Sequence, residues 1–64
     1  MWTAIYMAQN KESADKVKAT LNKVGIQVKI DPLTKNGIDN DYYEVLVENN
    51  KVTQAHNFII ENGF

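Results

Sequence analysis

"YYEVLV", residues 42–47, decides how this chain folds. Aromatic and β-branched residues dominate it, which suits a pleated, half-buried strand, and its alternation places Tyr43, Val45 and Val47 on one face and Tyr42, Glu44 and Leu46 on the other. Working towards the N-terminus, "IQVKI" at 26–30 alternates in the same way, with Ile26, Val28 and Ile30 inward and Gln27 and Lys29 outward. Asp31-Pro32 is expected to end that strand, because proline donates nothing to a ladder and restricts its neighbour. Before it, residues 11–24 carry a helical stripe of Ala14, Val17, Leu21 and Val24, with Lys11, Lys16, Lys18 and Lys23 outside it. Asn10 is the expected N-cap, Glu12 sits in the first turn and Gly25 follows the end. Residues 2–8 form a first strand, with Thr3, Ile5 and Met7 on one face and Trp2, Ala4 and Tyr6 on the other.

On the other side of 42–47, residues 51–62 form a last helix capped by Asn49 or Asn50. Its inner stripe is Val52, Ala55 and Ile59, widened by Phe58 or Ile60, and Gly63-Phe64 suits a turn that folds the last aromatic back. The order is βαββα. A right-handed crossover makes the first two strands parallel, and the hairpin sets the third antiparallel between them. The expected fold class is α+β: a ferredoxin-like half in one domain, residues 1–64, with a three-stranded sheet in order 1-3-2 and both helices on one face.

With 64 residues the core is small, and such scaffolds usually gain stability from disulfides, a metal or oligomerisation. The chain has no cysteine and one histidine, which removes a disulfide framework and a thiolate or histidine-rich zinc site. Oligomerisation remains. The charge balance is 7 Lys+Arg against 8 Asp+Glu, every basic residue being lysine, so no basic run and no guanidinium fork is present to read nucleic acid. The opening "MWTAIYMAQNKES" lacks a basic region followed by a long apolar run, and no stretch approaches the roughly 18 apolar residues of a membrane span. The expectation is a soluble, cytoplasmic protein without a membrane partner.

One stretch imitates a metal site. In "KNGIDNDYYE", 35–44, Gly37 stands among Asn36, Asp39, Asn40 and Asp41, with Glu44 at the end. A calcium hand needs its glycine at the sixth position and a bidentate Glu at the twelfth. Counting from Gly37 puts Pro32 first and Tyr43 twelfth, and strands flank the stretch where helices are required. The reading is a polar hairpin loop over 31–41, whose length makes Lys35, Asn36, Gly37, Asp39 and Asp41 candidates for engaging a partner. His56 reads as a helix-surface residue and Ser13 as part of the first helical turn. No catalytic, metal-ligating or cofactor-binding residue is assigned, and no cofactor is expected. An enzyme would need a pocket gathering Asp39, Asp41, His56 or a lysine.

The informative surface is the sheet face without helices, where Trp2, Ala4, Tyr6, Gln27, Lys29, Tyr42, Glu44 and Leu46 are expected to converge, with Trp2, Ala4, Tyr6, Lys29, Tyr42 and Leu46 as the candidate interaction residues. Several aromatics on a bare face imply a binding surface. Self-association into a dimer or larger homo-oligomer comes first, with a protein or small molecule as the other partners. Aromatics on such a sheet also suit stacking of single-stranded RNA bases, which the acidic balance disfavours.

"MWTAIYMAQNKESADKVKATLNKVGIQVKIDPL", "YYEVLV" and the closing helix together resemble the short bacterial proteins grouped as prokaryotic signal transducers. The markers are "MWT-x-x-Y-x-A", "A-x-x-x-x-x-x-L-x-x-x-G-I-x-V-K" and "YEVLV", spread over almost the whole chain. That resemblance implies a ferredoxin-like half likened to the nitrogen-regulatory PII proteins, and a regulatory role. Similar short proteins from Firmicutes carry the label glutamate decarboxylase. A pyridoxal-phosphate decarboxylase needs a cofactor lysine, a phosphate cup and a pyridinium partner in a large scaffold, and this chain offers none of that apparatus. Where the family strand leads into "VP" and an acidic helix start, this chain has "VENNKVTQ". The reading is a small non-enzymatic regulatory or signal-transducing module, with an enzyme-associated subunit or small enzyme, and a single-strand-binding module, as the alternatives.

Overall fold

A computed structural model describes residues 1–33 and 42–64. The elements are β1 (Trp2–Ala8), α1 (Lys11–Lys23), β2 (Lys29–Leu33), β3 (Tyr42–Glu48), a 3-10 turn at Asn49–Lys51 and α2 (Val52–Glu61). The strands form one sheet in the order β1-β3-β2, and β3 is antiparallel to both neighbours. This is the βαββα, α+β arrangement expected from the alternation of 42–47. Among the described residues β1 and β2 are the two edge strands of the sheet.

Local chemistry sets the helix ends. The Asn10 side chain accepts a hydrogen bond from the Ser13 N–H at 2.8 Å, which satisfies one of the four free donors of the first turn of α1. At the other end Gly25 has φ +82°, a conformation that L side chains rarely adopt. Its N–H bonds to the Asn22 carbonyl, and the Ile26 N–H reaches back to Leu21 at 3.1 Å, folding Ile26 under the helix. Leu21 and Ile26 are both buried. Val24, expected in the buried stripe, is instead 45% exposed, because the turn passes its inward place to Ile26. α2 closes in the same way: the Phe64 N–H bonds to the Ile59 carbonyl across Gly63, and Phe64 meets Tyr6 edge-on with ring centroids 6.3 Å apart.

Replacing Asn10 with alanine should cost about 1 kcal/mol by removing the cap. Thermal unfolding would then shift down by about 4–8 °C for a domain of this size, and an unchanged midpoint would show that the cap contributes nothing.

Three further features depart from the alternation. The expected caps Asn49 and Asn50 do not cap α2, whose N-cap is Lys51 without a side-chain bond. Asn49 accepts instead from the Thr3 hydroxyl, and its N–H donates to the Met1 carbonyl, tying the start of β1 to the end of β3. Pro32 does not end β2, which runs on to Leu33, with Pro32 opposite Tyr43 and Leu33 opposite Tyr42. An edge strand tolerates a proline that a central strand would not. Asp31, Pro32 and Leu33, expected at the start of a loop over 31–41, belong to β2 instead.

The third departure changes which side chains face the helices. In β1, Ala4 pairs with Leu46 and Tyr6 with Val45, so Ile5 is an extra residue, a β-bulge. Two residues of β1 there oppose one of β3, and the alternation resumes shifted by one. Thr3 therefore shares the helix-covered side with Val47, Tyr6 with Val45 and Ala8 with Tyr43. Ala8 is 1% exposed and Met7 57% exposed, the reverse of the expectation for Met7. Tyr6, expected on the open face, packs against the core, as does Ile5. The core itself joins Ala14, Val17 and Leu21 of α1 to Val45 and Val47 of β3 and to Ala55 and Ile59 of α2. Phe58, not Ile60, widens the α2 stripe; Ile60 is 60% exposed.

Candidate functional site: the uncovered face of the sheet

Because both helices pack on the side of Val45 and Val47, the other side of the sheet meets no element among the described residues. Its rows follow from the pairing. Ala4, Leu46 and Lys29 lie side by side across β1, β3 and β2, and Met7, Glu44 and Asp31 form the adjacent row. Trp2 pairs with Glu48 at one end, and Leu33 with Tyr42 at the other. The expected members Trp2, Ala4, Lys29, Tyr42 and Leu46 are thus brought together. Tyr6 is not among them, for the reason given by the Ile5 bulge.

The bulge and the longer β2 bring residues to this face that alternation over 2–8 and 26–30 does not assign. Met7 arrives through the shift in β1, and Asp31 and Leu33 arrive because β2 continues through Pro32. Glu48 was the accessible one: extending the alternation of 42–47 by one step places it beside Leu46.

Around Leu46 the face is partly shielded. The Lys29 Nζ stands 4.7 Å from the centroid of the Trp2 ring, although the two residues lie on opposite edge strands. Their side chains therefore lean towards each other across β3, and Leu46 lies in the open depression that they line with Ile30 and Asp31. The ammonium over the indole face is a cation–π contact, worth about 0.5–1 kcal/mol at an exposed site. Among the described residues Lys29 is the one lysine on this side of the sheet, facing Asp31, Glu44 and Glu48.

The loop candidates Lys35, Asn36, Gly37, Asp39 and Asp41 lie outside the described residues. His56 is exposed on α2. Among the described residues no group of three or more histidine, aspartate or glutamate side chains is placed to hold a metal ion, and no helix is long and apolar enough to cross a membrane. Set against known protein families, curated proteins and solved structures, the chain matches none.

Proposed function

We propose that the chain is a small regulatory binding module that works by association with further copies of itself through the uncovered sheet face, and that it has no catalytic activity of its own. The supporting observation is the set of large apolar side chains on that face: Trp2, Leu46, Met7 and Tyr42 stand around Glu44 on a sheet side that meets no helix among the described residues. Solitary apolar side chains on a surface are ordinary, whereas a contiguous group on one face marks a contact surface. The mixed charge rim suits a second copy. A two-fold axis through the face can set Lys29 of one copy against Asp31, Glu44 or Glu48 of the other, so that the same patch serves both sides. A nucleic-acid strand would meet three carboxylates around one lysine, which opposes phosphate binding.

The resemblance to prokaryotic signal transducers agrees with a regulatory role, and the ferredoxin-like arrangement suits it. The purified protein, supplied with pyridoxal phosphate and glutamate, should release no carbon dioxide above background. Turnover abolished by a single lysine substitution would overturn the non-enzymatic reading.

A further inference from the structure

The outer edge of β1 presents backbone groups where the open face presents side chains. Among the described residues no strand pairs with it, and its backbone phase follows from one hydrogen bond. The Asn49 N–H donates to the Met1 carbonyl at 2.9 Å, so Met1, and with it Thr3 two residues on, directs its backbone groups inward to β3. Trp2 and Ala4, in the alternate positions, direct their N–H and carbonyl groups outward.

Three observations make this short edge receptive. The Trp2 ring leans inward to Lys29 and Ala4 carries only a methyl group, so neither crowds the edge from the open side. β1 contains no charged residue and no proline, whereas the opposite edge, β2, carries Lys29, Asp31 and Pro32. Charges and proline are the usual guards against edge pairing, and only β2 has them. The Ile5 bulge breaks the regular phase of β1, which confines an added ladder to the Trp2–Ala4 stretch.

We propose that β1 pairs with β1 of a second copy, antiparallel, about a two-fold axis at Thr3. Trp2 of one copy then lies opposite Ala4 of the other and exchanges both backbone hydrogen bonds with it, and the two Thr3 residues face each other in the non-bonded register. An uncharged strand meets its own copy without like charges in opposition, and a two-fold contact closes on itself instead of propagating. Two three-stranded sheets become one of six, and the two open faces join into a single surface. This proposal rests on the self-association reading and adds to it: stacking of two such six-stranded sheets through the joined faces gives a four-copy assembly.

The chain has no cysteine, so Thr3→Cys introduces a sole thiol. Across a non-bonded antiparallel pair the Cα atoms stand about 4.5 Å apart, within the disulfide range, so mild oxidation should give a covalent dimer in high yield. Lys18→Cys, on the exposed side of α1 and outside both contact surfaces, should give little. Ala4→Pro removes an outward N–H that β3 does not use, and its mass in solution should be half that of the wild type. Circular dichroism checks its fold, and the Thr3→Cys cross-link stands as a separate readout if that variant unfolds. Absence of the covalent dimer, with Ala4→Pro unchanged in mass while Leu46→Lys lowers it, would overturn edge pairing and leave face association intact. A wild type that is monomeric throughout would overturn both.

Discussion

Replacing Tyr6 with alanine should destabilise the protein by about 2–4 kcal/mol, while Met7→Ala beside it should change stability by less than about 0.5 kcal/mol. Both residues lie in β1, and simple alternation assigns them the opposite way round. The Ile5 bulge is what separates them. Tyr6 shares its side of the sheet with Val45 and meets Phe64 edge-on, so truncation removes apolar contact area and an aromatic pair together. Met7 pairs with Glu44 on the open face and is 57% exposed, so its truncation in a single copy removes little. A core of this size supplies only about 3–5 kcal/mol, so Tyr6→Ala should leave a protein close to its unfolding midpoint at room temperature. Urea titration at a concentration low enough to keep the chain monomeric measures both variants. A larger loss for Met7→Ala than for Tyr6→Ala would mean that β1 carries no bulge and that its faces are reversed.

The same comparison shows where the sequence was legible and where it was not. β3 could be read because its two faces differ in kind: Val45 and Val47 against Glu44 and Leu46. α1 could be read because lysines mark its outer side and Asn10 and Gly25 mark its ends. β1 could not be read beyond Ala4, because "AIYMA" is apolar at every position and an extra residue leaves no trace in a pattern without contrast. Pro32 misled for a related reason. A proline reads as a strand end unless the strand is known to be an edge, and edge position is a property of the sheet order rather than of the local residues. Asn49 looked like a helix cap by residue type, yet its hydrogen bonds go to Met1 and Thr3, 48 and 46 positions away in sequence, which no local pattern encodes. The open face survived these errors in outline, losing Tyr6 and gaining Met7, Asp31, Leu33 and Glu48.

Leu46→Lys should weaken the face-to-face contact at least about 100-fold without unfolding the chain. Leu46 lies at the centre of the open face, between Ala4 and Lys29, and belongs to the side of β3 opposite Val45 and Val47. Fully burying a leucine side chain is worth about 1.5–3 kcal/mol; Leu46 is already half-buried in the single chain, so a two-fold contact gains part of that twice, and the lysine ammonium would add a desolvation cost at both positions. Part of that is offset by the cost of association, which is why a fold-change in affinity is the safer readout than area. The new lysine would also stand directly across from Lys29, placing like charges in one cross-strand pair. Tyr6 has no place in this test, because its replacement acts through the core. Lys16→Glu with Lys18→Glu, on the exposed side of α1, is the matched control and should leave association unchanged.

The central claim is that the uncovered face of the sheet joins copies of this chain, and the mass of the wild-type protein in solution tests it most directly. Sedimentation equilibrium at high micromolar concentration should give a mass of at least twice 7.3 kDa, falling when Leu46 is replaced by lysine while the circular dichroism spectrum is retained. A wild-type protein that sediments as a single 7.3 kDa chain at every concentration would contradict the account.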